Sequence, residues 1–317
     1  MMGTAPPTSA RRLRRSELAT PASSPRMVAK AVVSAADVVF LDLEDAVAPQ
    51  QKVAARSAVV AALNELDWGS KTRACRVNGP ATRWCYGDLV DVVAGAGANL
   101  DLVVVPKVRG PRDVWFVDTL LTQLEMDLGL DAGHIRLEVL IEEAAALACV
   151  EEIAGCCPRV EALVLGVGDL SASQGMRQIV DGPVAPLVYP GYPGDVWHYA
   201  RTRMVIAARA HGLAAVDGPV PDFNDDAAYL ATATQAAVLG ASGKWCIHPN
   251  QIPLANRVFS PSASEIDTAR RAIAAMQQAE REGRGAASLD GALIDAATFR
   301  IHEVVLEQAR LAGLLQE

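Results

Sequence analysis

Residues 136–175 read RLEVLIEEAAALACVEEIAGCCPRVEALVLGVGDLSASQG. Two strand-like apolar runs each deliver a carboxylate: Glu142 and Glu143 follow VLI, and Asp169 follows LVLGVG. A helix-like segment, AAALACVEEIAGCCPR, separates them. In a parallel sheet with intervening helices the ends of neighbouring strands lie side by side, so acids 27 positions apart meet at one rim. Two carboxylates there make a seat for a hard divalent cation. Successive side chains on a strand alternate, so at most one of Glu142 and Glu143 points into the mouth of such a sheet.

Outward from this unit the pattern repeats. Strands are expected at Glu17–Thr20, Val38–Leu43, Arg73–Val77, Leu100–Pro106, Arg136–Ile141, Ala162–Val167, Leu213–Val216 and Lys244–Ile247. Several are almost continuously apolar (VVFLDL, LDLVVVP), as parallel strands covered on both faces must be. Ala-rich amphipathic segments such as KVAARSAVVAALNEL lie between them. About eight strands with helices between, over about 235 residues, predict a (β/α)8 TIM barrel of the α/β class. The rival is a doubly wound open sheet. The nucleotide signatures usual in that fold are missing: no GxGxxG follows the first strand and no GxxxxGK[ST] occurs.

After Pro249 the rhythm changes. A long helix is expected to begin at Pro261–Ser264, with Ile266, Ala269, Ile273 and Met276 on one face, and LDGALIDAATFRIHEVVLEQARLAGLL should close with another. The expected division is a disordered leader at 1–14, a catalytic barrel at 15–255, and a helical lid or oligomerisation extension at 256–317.

Composition narrows the chemistry. The 317 residues carry a net charge of −8 with no strongly basic half, which argues against nucleic acid as partner. No apolar run reaches the roughly 18 residues that a membrane helix needs. None of the six cysteines forms a CxxC pair, so they read as reduced core residues in a cytoplasmic protein.

Useful polar groups follow the other expected strands too. Asp42, Glu44 and Asp45 come after the second, Arg76 and Asn78 after the third, Lys107 after the fourth, Asp217 after the seventh and His248 after the eighth. Each has a plainer role open to it: helix capping for the acids, neutralisation of a neighbouring carboxylate for Arg76, a solvated loop for Lys107, packing for His248. Taken together, an arginine among carboxylates suits a substrate with a carboxylate of its own, and the residues point to metal-assisted chemistry on an oxo or hydroxy acid.

The motifs RRSELATPASSPRMVAKA, FLDLEDAVAPQQK, RVNG, VPKV, LIEEAAAL, LGVGDLSASQG, DGPVPDF, GKWCIHPNQI and DGALID resemble those of the HpcH/HpaI aldolase superfamily, in its citrate lyase β-subunit-like branch that includes malyl-CoA lyases. The resemblance runs from about Arg14 to the C-terminus. It implies Mg²⁺, with Mn²⁺ an alternative, held by Glu142 and Asp169, and the oxo-acid carboxylate held by Arg76. It implies a CoA-binding edge at Arg15, Arg26 and Lys30. It also implies a proton-transferring Asp295 on a lid that reaches a neighbouring subunit of a homotrimer or hexamer.

The implied activity is reversible cleavage of a 3-hydroxy-3-carboxylic acyl-CoA, such as malyl-CoA, β-methylmalyl-CoA or citramalyl-CoA, into glyoxylate or pyruvate and acetyl- or propionyl-CoA. Alternatives are a malyl-CoA thioesterase and the citryl-carrier lyase subunit of a citrate lyase complex. The chain departs from the family pattern at Glu143, at DGALID, and in a long loop within 171–204 carrying Pro183, Pro186, Pro190 and Pro193.

Overall fold

The computed structural model describes residues 12–177 and 194–315. The four prolines of the long loop, and most of the expected leader, lie outside the described residues.

Eight parallel strands close into a barrel in sequence order: β1 (Ser16–Pro21), β2 (Val38–Asp42), β3 (Thr72–Arg76), β4 (Leu102–Val105), β5 (Arg136–Ile141), β6 (Val160–Leu165), β7 (Ala214–Asp217) and β8 (Gly243–Cys246). The helices that return the chain are α1 (Pro25–Val32), α2 (Lys52–Glu65), α3 (Cys85–Ala96), α4 (Pro111–Asp127), α5 (Ala144–Ala148), α6 (Val150–Ala154), α7 (Val167–Ser173), α8 (His198–Ala210), α9 (Asp226–Val238) and α10 (Gln251–Val258). The closed barrel replaces the open-sheet rival, and every expected strand is present within two residues or so.

Strand parity builds the interior. Val38 and Phe40 on β2, Ala74 on β3, Leu102 and Val104 on β4, Leu140 on β5, Val164 on β6, Val216 on β7 and Trp245 on β8 form one buried cluster. Phe40 and Trp245 meet with ring centroids 4.5 Å apart. A further step of two along the strands places Asp42 after Phe40, Arg76 after Ala74 and Glu142 after Leu140, all on the inner face at the C-terminal mouth.

The opposite end of the barrel is also charged. Arg14 reaches Glu17 of β1 at 3.0 Å, Glu138 of β5 at 2.7 Å and Glu161 at 2.5 Å, and the Trp245 indole N–H donates to Glu17. Three carboxylates around one guanidinium leave an excess of negative charge. Burial and the Glu138 charge accordingly hold the Glu17 carboxyl well above its ordinary pKa.

The described residues group into two compact units, Arg14–Arg257 and, chiefly, Val258 onward. In the second unit Ser262 caps α11 (Ala263–Arg281) through a reciprocal capping box with Glu265. Ala272, Met276 and Ala279 of α11 pack on Ala287 and Ile294. Ile273, expected on the buried face, is only half-buried and Ala272 takes its place. The helical extension also holds a two-stranded antiparallel hairpin that the helix-only reading did not include, β9 (Ala287–Leu289) and β10 (Ala292–Ile294). Its two-residue turn, Asp290-Gly291, has positive φ at both positions (51° and 83°), as the primed hairpin turns demand. Helix α12 (Ala296–Leu311) completes the unit.

All six cysteines are free thiols. Among the described residues no helix is long and apolar enough to cross a membrane.

Candidate active site

The mouth of the barrel is organised by a guanidinium. Arg76 donates from Nε to Asp42 Oδ1 at 2.8 Å and from Nη2 to Asp42 Oδ2 at 2.6 Å. Asp42 also accepts the backbone N–H groups of Glu44 and Ala46, so it fixes the loop after β2 as well as the arginine. The helix-capping alternative for Asp42 therefore gives way to this grip. The guanidinium lies 5.6 Å from the Trp245 ring and 5.9 Å from Phe40, so the aromatic floor of the site supports it from below. The other edge faces Glu44, whose Oε2 is 3.0 Å from Arg76 Nη1. That contact lacks hydrogen-bond alignment, and Oε2 is buried without a hydrogen-bonding partner. Burial, partly offset by Arg76, pushes the Glu44 carboxyl up to about 8.

Glu142 and Asp169 meet under one cation. Lys107 Nζ lies 2.5 Å from Asp169 Oδ1 and 3.9 Å from Glu142 Oε1. The Lys107 backbone N–H donates to the same Glu142 oxygen at 2.7 Å. Burial raises the Glu142 carboxyl to about 7 despite the pull of Lys107. An added cation would remove that penalty. Gly166 makes room for the carboxylate: a Cβ there would stand 2.6 Å from Glu142 Cβ and 2.8 Å from its Oε2. Asp169 sits in the first turn of α7 and is partly exposed, so one carboxylate is fixed and buried while the other opens to the mouth.

This donor set fits a hard divalent ion held by two carboxylates, with remaining positions open to small oxygen ligands. Among the described residues no three His, Cys, Asp or Glu side chains group as a metal site. Glu143, the neighbour that parity turns away, accepts a hydrogen bond from Ser173 Oγ at 2.9 Å. That serine in turn accepts the Ala144 N–H, tying the end of β5 to the end of α7.

The remaining candidates are distributed as follows. Arg26 and Lys30 are exposed on α1, one turn apart. Arg15 stands instead at the N-terminal start of β1, where its backbone N–H and guanidinium both bind Asp37. That is the end of the barrel away from Asp42, Arg76 and Glu142. Asp217 is buried against Lys244 and Arg201 and serves the layer between barrel and helices. His248 stacks on Phe223 with ring centroids 4.8 Å apart. Asp295 caps α12, its Oδ1 accepting from the N–H groups of Ala297 and Thr298, and these bonds hold its carboxyl below the usual range.

One buried group was not among the sequence candidates. Lys52 donates to the carbonyls of Leu43 and Glu44 and to Asn78 Oδ1, clamping the loops after β2 and β3 together. Its place at the end of the LEDAVAPQQK run was the available signal, masked by the ordinary look of a lysine at a helix start.

Comparison with known proteins bears on this arrangement. Residues 15–249 match the family model described as HpcH/HpaI aldolase/citrate lyase. The chain is similar to an L-malyl-CoA/beta-methylmalyl-CoA lyase of Cereibacter sphaeroides, with 43% identity over 97% of both chains. It is also similar to a (3S)-malyl-CoA thioesterase of the same organism, with 37% identity over 89% of both. Among solved structures it resembles the CitE protein of Mycobacterium tuberculosis in complex with magnesium, acetoacetate and coenzyme A, with a TM-score of 0.74, 31% identity, and coverage of 95% of this chain and 99% of that one.

Proposed function

The chain belongs to the HpcH/HpaI aldolase/citrate lyase family, and on that premise we propose that it is a Mg²⁺-dependent carbon–carbon lyase acting on a malyl-CoA-type thioester. It would cleave malyl-CoA, β-methylmalyl-CoA or citramalyl-CoA reversibly into glyoxylate or pyruvate and acetyl- or propionyl-CoA. The observation that carries this reading is the convergence of Glu142 and Asp169 on one cation beside a pre-gripped Arg76.

Glu142 and Asp169 would hold the metal ion. Bound there, a divalent cation would supply Lewis-acid stabilisation of the substrate alkoxide, the species from which the carbon–carbon bond breaks and which re-forms in condensation. Arg76, oriented by Asp42, would present the N–H groups that Asp42 does not take, on the edge facing Glu44, to the oxo-acid carboxylate. Arg26 and Lys30 are available for the anionic CoA moiety, whereas Arg15 is committed to Asp37. In condensation the Asp295 carboxylate would take the proton from the thioester α-carbon; in cleavage the carboxyl so protonated would return it there, while the substrate hydroxyl gives up its own proton to solvent. We assign Asp295 this role from a neighbouring subunit of a homotrimer or hexamer in the cytoplasm.

The test is a coupled assay on a panel of acyl-CoA esters with and without Mg²⁺. Metal-dependent release of a 2-oxo acid supports the lyase. Malate and free CoA without glyoxylate would identify a thioesterase instead, the activity of the second relative. No turnover of any ester defeats both readings.

A further inference from the structure

The cation on which Glu142 and Asp169 converge has been given no role in the chemistry above. Lys107 follows Pro106 at the end of β4, and its backbone sits in the left-handed region with φ 54°. Asp290, in the hairpin turn, is the other non-glycine residue with positive φ among the described residues. Such a conformation costs a side-chain-bearing residue about 1 kcal/mol or more, and persists where the surroundings hold it. Two contacts accompany it here. The backbone N–H is aimed at Glu142 Oε1, 2.7 Å away. The stem lies against Gly79, where a Cβ would stand 3.0 Å from Lys107 Cβ and 3.2 Å from its Cγ.

With backbone and stem fixed in this way, the ammonium ends among four carboxylates that follow three strands, β2, β5 and β6. Asp169 Oδ1 is at 2.5 Å, and Glu44 Oε1, Asp45 Oδ2 and Glu142 Oε1 are each at 3.9 Å. It therefore stands against the Asp169 oxygen that a divalent ion would take, and beside the Glu142 carboxylate that would share the ion. Two cations cannot share that ligand oxygen at contact distance without strong repulsion.

We infer that Lys107 is the displaceable counter-cation of the metal seat, holding Glu142 and Asp169 in place without metal and competing with the ion that loads it. The inference rests on the metal-centre reading above. Displacement has a destination: with Asp169 released, Nζ needs to move little more than one ångström to pair with Glu44 or Asp45, each already 3.9 Å away. The Lys107 N–H can keep its hold on one Glu142 oxygen throughout, leaving the second for the ion. Lys107 is thus a positioning residue, acting through Glu142 and Asp169.

The experiment is Mn²⁺ titration of the full-length chain, followed by the electron paramagnetic resonance of free Mn²⁺, with thermal melts in parallel. Lys107→Met keeps the stem and removes the charge. Lys107→Gly keeps the N–H donor, relieves the backbone, and guards against misfolding of the first variant. Both should bind Mn²⁺ roughly tenfold tighter or more, because the charge-assisted bond to Asp169 no longer has to be broken. Their metal-free forms should melt lower than wild type and show a larger Mn²⁺-induced rise. Asp169→Asn should lose Mn²⁺ binding. Equal or weaker Mn²⁺ affinity in both Lys107 variants overturns the inference and leaves the metal centre standing. Absence of Mn²⁺ binding in wild type and both Lys107 variants overturns the two together.

Discussion

Asp42 and Arg76 are register partners at the ends of β2 and β3, and their side chains meet in a two-pronged ion pair with bonds of 2.8 and 2.6 Å. The strand register therefore orients the guanidinium before any ligand arrives. Asp42→Asn keeps the shape but removes one acceptor and the charge. It should lower kcat/KM by about 100-fold, chiefly through KM for the oxo acid in condensation, because a slightly misplaced binding group is that costly. Steady-state kinetics, with circular dichroism to confirm the fold, would check it. An unchanged KM would separate Arg76 from substrate binding.

Gly166 is the position where one methyl group should disable the metal seat. Gly166→Ala places a Cβ 2.6 Å from Glu142 Cβ, so the carboxylate has to move. The expected result is a loss of about 1–3 kcal/mol in stability, as for overpacking elsewhere. Mn²⁺ affinity should fall by at least about tenfold, the equivalent of 1.4 kcal/mol. Isothermal titration and a thermal melt on the same sample separate the two effects.

At the far end of the barrel, Glu17 gives the protein a pH-dependent stability. Its folded pKa lies well above the ordinary value of 4.5, owing to burial and to Glu138. Its relative contribution is thus fully present below about pH 4.5 and is lost as pH rises through the folded value. Glu17→Gln retains an acceptor for the Trp245 N–H and removes the buried ionisation. The variant should melt higher than wild type at pH 8–9, with the gap closing toward pH 5. Melting temperatures across that range decide it, and a constant gap would contradict the assignment.

The capping box of α11 allows a local test of the C-terminal unit. Ser262→Ala removes the acceptor for the Glu265 N–H and the donor to its carboxylate. The expected cost is about 1 kcal/mol. Hydrogen exchange should speed up in the first turn of α11 while the amides of β1–β8 stay protected.

The barrel was legible because its strands are buried on both faces and therefore nearly uniform in composition. Arg136–Ile141 was placed to the residue on that basis. Parity within β5 also limited the choice between Glu142 and Glu143 to one inward carboxylate; parity did not say which, and the family resemblance named Glu142. Pairing of Arg76 with a neighbouring carboxylate was foreseen as its plainer role, but its partner Asp42 was not legible, since it depends on the register between two strands whose sequences do not encode each other's alignment. The separation of Arg15 from Arg26 and Lys30 was hidden for a related reason: a basic cluster in sequence straddles β1, so its members fall at opposite ends of a strand. The β9–β10 hairpin carried its own signal in Asp290-Gly291, but three-residue strands are too short to show a period of two.

The cap that Asp295 forms on α12 makes its two oxygens unequal. Oδ1 is committed to the N–H groups of Ala297 and Thr298 and to the Thr298 hydroxyl, while Oδ2 accepts no hydrogen bond among the described residues. The two usual knockouts at this position consequently ask different questions. Asp295→Asn can keep the amide oxygen over the helix start and removes only the capacity to take up a proton. Asp295→Ala also frays the first turn of α12, so any loss of activity would mix a broken anchor with the loss of the proposed base.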